Sequence, residues 1–144
     1  MKLSQHFSLA ELTHSTLATE QSIANIPSEN QIENLRALCE NVLEPLREHA
    51  GTPVYINSGY RCRKLNDKVN GSPNSQHLRG EAADIRVPSN TVGNEWFLWL
   101  MNNTHFDQLI KERVHRNSKY FWIHVSYSRV HNRQQVINNF IKYK

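Results

Sequence analysis

The chain is poor in cysteine: two among 144 residues, Cys39 and Cys62, far apart in sequence. That excludes a disulfide scaffold and a metal site closed by thiolates, the usual form of a structural zinc. No apolar run approaches the ~20 residues that cross a bilayer, so membrane insertion is not expected. The opening Met1-Lys2-Leu3-Ser4-Gln5-His6-Phe7 has one Lys, but no apolar stretch of signal length and no cleavage site. The expectation is synthesis in the cytoplasm without a signal peptide, with both thiols reduced. Nothing Gly/Ser-rich, repeated or of low complexity breaks the chain. Residues 1–144 are therefore expected to form a single domain, long enough to bury a core and working as a monomer. The net charge of +4 comes from scattered Lys and Arg, with no basic run and no nucleic-acid motif. Nucleic acid is not expected as a partner, while another anionic polymer suits the charge.

What is present reads first as helices and later as strands. Ser8 with Glu11 three positions on is a capping-box pattern opening a short helix. A second start at Ser28 leads into the apolar stripe Ile32, Leu35, Leu38, Cys39, Val42, Leu43 and Leu46, ended by Gly51. Pro45 inside that stripe should bend or divide the helix. Residues 53–57 read as a short strand and 62–76 as a turn-rich loop with Asn66, Asn70, Gly71, Pro73 and Asn74. Ala82 to Val87 reads as a buried strand, and Asn94 to Met101 as a helix rich in aromatics. Residues 106–110 and 122–127 alternate like two strands around a polar turn at 116–119. Val136, Ile137, Phe140 and Ile141 have helical spacing, with the type left open. The class is α+β, a small and mainly antiparallel sheet with N-terminal helices packed on it.

Chemistry concentrates in Ser75-Gln76-His77-Leu78-Arg79-Gly80-Glu81-Ala82-Ala83-Asp84 and in Trp122-Ile123-His124-Val125-Ser126. His77, Asp84 and His124 supply two imidazoles and a carboxylate, the three-ligand set of a catalytic Zn2+ with one position open for water. A turn from His77 to Gly80 followed by a strand can bring His77 and Asp84 to one side, and Ala82 leaves space on the face of Asp84. In an alternating strand His124 shares its face with Trp122 and Ser126, opposite Ile123 and Val125.

Ser75-x-His77-x-x-Gly80-x-Ala82-x-Asp84 resembles the signature of the zinc D-Ala-D-Ala carboxypeptidases. That family includes D,D-dipeptidases and phage L-alanoyl-D-glutamate endolysins, and shares the hedgehog/DD-peptidase fold. The Trp122–Ser126 segment is similar to the element carrying the third ligand, and Ser58-Gly59-Tyr60-Arg61 to an upstream segment of the same enzymes. The resemblance covers about residues 5–130. It implies a zinc peptidase acting on peptidoglycan stem peptides, with His77, Asp84 and His124 as ligands. Made without a signal, it would act on the wall after release, as a phage or prophage lysin. Arg61 suits a substrate carboxylate or the developing oxyanion, or else a plain salt bridge. Ser75 can hydrogen-bond substrate, orient a ligand or cap the turn. Cys39 falls on an apolar helix face, whereas Cys62 lies near the site and could be a ligand or a nucleophile.

One position departs from the resemblance. Several relatives carry an acid three residues before the third ligand, and here that residue is Phe121. Glu112 is the candidate general base, because hairpin pairing would bring it to the start of the His124 strand; a solvated charge beside Lys111 and Arg113 is the other reading. Glu81, Asp107 and His115 are weaker candidates. The alternative function is a zinc-containing wall-binding module of the same fold that has lost hydrolysis.

Overall fold

The helix-start signals become real caps. In the computed structural model, described here for residues 1–143, the Ser8 hydroxyl accepts from Glu11 N at 3.2 Å and Glu11 Oε1 accepts from Ser8 N at 3.2 Å. This reciprocal pair opens α1 (Leu9–Thr13), and α2 (Thr16–Glu20) follows. Ser28 and Gln31 repeat the box at the start of α3 (Glu29–Leu38). Pro45 has no N–H for the carbonyl four residues back, and the chain absorbs the defect in a π turn (Cys39–Leu43). There the Glu44 N–H reaches Cys39 O, and α4 (Glu44–Ala50) continues with Pro45 in its first turn. The helix is divided where the sequence predicted.

Five strands follow with helices between them: β1 (Tyr55–Ser58), α5 (Arg63–Lys68), a 3-10 turn (Gln76–Arg79), β2 (Ala82–Arg86), α6 (Asn90–Asn103), β3 (Gln108–Arg113), β4 (Trp122–Ser126) and β5 (Gln135–Ile141). The sheet order is β1-β2-β4-β3-β5. Every pair is antiparallel except β3–β5, which is parallel. The α+β class with a mainly antiparallel sheet is thus the observed one. Two segments differ from the sequence reading. The 62–76 loop contains α5, whose Leu65 and Asn66 are buried, and the C-terminal apolar set lies on a strand, β5.

One face of the sheet is dry. Ala83, Ile85, Leu109, Ile123 and Val125 are fully buried, with Leu35, Leu38, Leu43, Leu46 and Leu100 of the helices in the same core. Burying each Leu or Ile contributes ~1.5–3 kcal/mol relative to exposure. Cys39 sits in this core, and burial pushes its thiol up to about 12, so it is an inert apolar group as expected. No helix among the described residues is long and apolar enough to cross a membrane.

The 3-10 turn is clamped to α3. Gln31 Nε2 donates to Leu78 O at 3.1 Å and Asn34 Nδ2 to Arg79 O at 2.8 Å. Gly80 closes the turn at φ +73°, and a Cβ there would lie 2.6 Å from Gln31 O. Just before β3, Arg133 ties the β4–β5 connection to Asp107. Its N, Nε and Nη2 donate to that carboxylate at 3.0, 2.9 and 2.8 Å.

Two outcomes follow from these contacts. Gly80→Ala combines a strained φ with a backbone clash and should lose ~1–3 kcal/mol, read from urea unfolding; an unchanged midpoint would contradict the clamp. Hydrogen bonds from Arg133, opposed by burial, hold Asp107 at about 2 against its ordinary 3.8. Its stabilisation is therefore complete above the higher value and lost as pH falls through the lower one. Asp107→Asn should flatten the acid limb of stability between them, measured by urea titrations across that range.

Candidate metal centre and its cleft

The face of the sheet opposite the core carries the polar chemistry. Asp84 on β2 pairs directly with His124 on β4, so both side chains leave the same face. His77 comes from the 3-10 turn that α3 holds over β2. Asp84 Oδ1 lies 3.3 Å from His77 Nε2 and 3.1 Å from His124 Nδ1. One donor atom from each of the three residues falls within 4.8 Å of the others. His77 is 2% exposed and His124 8%.

This donor set fits a zinc ion. Two nitrogens and one oxygen converge, and the outer nitrogen of each imidazole has a carbonyl beside it. His77 Nδ1 donates to Gly59 O at 2.6 Å, and His124 Nε2 lies 3.5 Å from Gln76 Oε1. Gly59 earns its place by contact: a Cβ there would lie 2.2 Å from Leu12 O. Asn25, which carried no signal in the sequence, fixes the same segment. Its amide donates to Thr13 O and Tyr60 O and accepts from Cys62 N, at 2.9, 2.9 and 2.8 Å.

Burial and charge sort the titrations. Burial opposes ionisation of Asp84, but the two imidazoles overcome it and hold the carboxyl well below its usual range. Burial pushes His77 down despite Asp84. For His124 burial is outweighed by the hydrogen bond and charge of Asp84, and the net shift is upward. Glu112 is raised, first by burial and then by the negative Asp84, against smaller pulls from His124, Lys142 and Trp122.

Glu112 pairs with Trp122 across β3–β4, while Ile110 pairs with His124. Glu112 is thus a diagonal neighbour of His124 on the same face. It lines a cavity of about 350 Å³ together with Arg61, Ser75, His77, Asp84 and His124. Phe121 instead packs in the core, 4% exposed, and lines no part of that cavity. A second cavity of about 310 Å³ adjoins the first and shares Arg61, Asp84, Trp122 and Lys142 with it.

Arg61 is half-buried between the two. Its Nη2 donates to Ser75 Oγ at 3.3 Å, while its Nε is buried without a partner. Burial lowers its pKa against the pull of Asp84 and Glu112, yet a guanidinium stays charged. Ser75 caps the turn, accepting from His77 N at 3.2 Å as well as from Arg61. The indole N–H of Trp122 is buried beside Glu112, its cross-strand partner, and favours the ionised form of that carboxylate. Strand alternation had placed Trp122 on the His124 face, which was the signal for it. Phe140 and Lys142, from β5 and its end, form a wall of the larger cavity and were not anticipated.

The other candidates lie elsewhere. Cys62 donates its backbone N–H to Asn25 and lines neither cavity. Glu81 pairs with Arg79 at 2.6 Å, Asp107 with Arg133, and His115 packs near Tyr143.

No curated protein matches the chain. Its sequence does match the profile described as Peptidase M15 over residues 5–126. That span takes in Arg61, the His77–Asp84 turn and strand, Glu112 and His124, and stops before β5. With His77, Asp84 and His124 converging and most of its length matched, the chain belongs to the Peptidase M15 family of zinc-dependent metallopeptidases, whose substrates are peptides.

Proposed function

We propose that this protein is a zinc peptidase that hydrolyses a bond involving a D-amino acid in peptidoglycan stem peptides. The observation carrying the proposal is the convergence of His77, Asp84 and His124 in a cleft that also holds a half-buried Glu112 and the unpaired Nε–H of Arg61. In this reading His77, Asp84 and His124 would hold Zn2+, which would supply Lewis-acid polarisation of the scissile carbonyl and a more acidic water. Glu112, kept more basic than a surface carboxylate, takes a proton from the attacking water and returns it to the leaving amine. Arg61 meets the negative charge that grows on the carbonyl oxygen or a carboxylate of the substrate, and Ser75 orients the guanidinium. Cavities on both sides of Arg61 and Trp122 let a peptide run past the metal in either direction, which suits an internal cut as well as a terminal one. Release onto the wall by a phage or prophage route suits the basic charge of the chain. The binding-module reading was favoured by Phe121, and a carboxylate on the adjacent strand weakens it.

Metal analysis should give one zinc per chain, and purified peptidoglycan should yield new amino termini or free D-Ala. Zinc without turnover would favour the binding module instead, and no zinc would refute both. Glu112→Gln should keep zinc and slow turnover by ~10²–10⁴-fold, the range for losing a general base; full activity in that variant removes Glu112 from the mechanism. His124→Ala should lose metal and activity together. Mass identification of the products from defined muropeptides assigns the bond.

A further inference from the structure

The carbonyl beside His124 is itself held in place, and the hold runs outward through buried groups. Gln76 Nε2 donates to Asp107 Oδ2 at 2.6 Å, with Gln76 9% and Asp107 6% exposed. Asp107 in turn receives the fork of Arg133, from a segment beyond the matched residues 5–126. An ionised carboxylate only accepts hydrogen bonds, so it fixes which end of the Gln76 amide faces it. The NH2 must point to Asp107, and the oxygen must then point to His124 Nε2. A flipped amide would set oxygen against oxygen at the Asp107 contact and leave that buried pair repulsive.

The direction of the amide decides the tautomer of the imidazole. A carbonyl at Nε2 favours the proton there and leaves the Nδ1 lone pair facing Asp84 and His77. An NH2 at Nε2 favours the opposite tautomer, with a proton on the nitrogen that should hold metal. We infer that Asp107 and Gln76 are positioning residues that set the metal-binding tautomer of His124, with Arg133 anchoring the carboxylate. This rests on the zinc reading above, and it adds a role for Asp107 other than the proton transfer weighed from sequence.

The contacts allow a reversal of polarity. In Asp107→Asn, a carbonyl in the place of Oδ1 keeps Arg133 N and Nε, while the NH2 in the place of Oδ2 gives up Arg133 Nη2 and faces Gln76, turning its amide so that NH2 meets His124. Adding Gln76→Glu restores an acceptor at both ends: one oxygen takes the Asn N–H and the other the His124 Nε2–H. The measurement is zinc affinity by chelator competition on wild type, D107N, Q76L and the Q76E/D107N double variant. It is paired with ¹⁵N NMR of histidine-labelled, zinc-loaded protein and with unfolding curves of the metal-free forms.

D107N and Q76L should each bind zinc ~10–100-fold more weakly, the scale of an outer-shell loss. The double variant should move back toward the wild-type value, and the wild-type spectrum should show His124 protonated at Nε2 and metal-bound at Nδ1. A loss of stability alone cannot produce this pattern, because the double variant keeps the altered residue 107 and would not recover. Single variants that bind zinc like wild type, or a double variant no better than D107N, would overturn the assignment while leaving zinc binding intact. Wild-type protein that takes up no zinc would overturn the zinc reading and this one with it.

Discussion

The pairing of Asp84 with His124 across β2 and β4 is the constraint on which the rest of the structure depends. Side chains alternate between faces along a strand, so a slip of one residue in this register would turn one of the two into the core. The register is held from the dry side: Ala83 with Val125 and Ile85 with Ile123 are paired neighbours and all fully buried. Hydrophobic burial therefore sets the chemistry. The same alternation that hides Ile123 and Val125 forces Trp122, His124 and Ser126 to the other face, and β3 adds Ile110 and Glu112 beside them.

The helices contribute by placing what the sheet cannot. His77 belongs to no strand, and its position depends on the 3-10 turn hanging from Gln31 and Asn34. Gly80 lets that turn press against α3, and Gly59 lets the β1 exit press against α1, where Tyr60 N donates to Leu12 O at 2.8 Å. The carbonyl that receives His77 Nδ1–H is that of Gly59. Close backbone approach at two glycines thus fixes the ring of one imidazole.

Legibility in the sequence followed the strength of the local signal. Ser8 and Ser28 announced their helices because capping is decided within four residues. The strands at 82–86 and 122–126 announced themselves through burial on one face. The short helix α5 did not: it is polar, has no side-chain cap, and buries only Leu65 and Asn66. The last strand deceived for a definite reason. Ile110 opposes Ile137 and Glu112 opposes Phe140, so three steps on β5 answer two on β3. That irregularity breaks the period of two and leaves Val136, Ile137, Phe140 and Ile141 at spacings that imitate a helix. In the site, His77, Asp84 and His124 stood out because their residue types are rare in such company. Gln76, Asn25 and Lys142 did not, since each acts through a fold contact that no neighbouring residue announces.

Under the proposed function, the absent acid at position 121 is replaced from a neighbouring strand. Phe121 is spent on the core, packed where a Cβ on Gly93 would meet it at 2.7 Å, and could not turn to the cleft without leaving a cavity behind. Glu112 instead reaches the cleft from the adjacent strand, as the cross-strand partner of Trp122 and on the face of His124. Its surroundings differ from those of Asp84 in the way that separates two carboxylates by task. Asp84 has an imidazole on either side and stays ionised. Glu112 is half-buried near that fixed negative charge, and desolvation first and the charge second raise its affinity for a proton. In the proposed mechanism a carboxylate held as an anion suits a ligand and one whose affinity is raised suits proton transfer, so the two environments agree with the separate roles that the sequence reading gave Asp84 and Glu112.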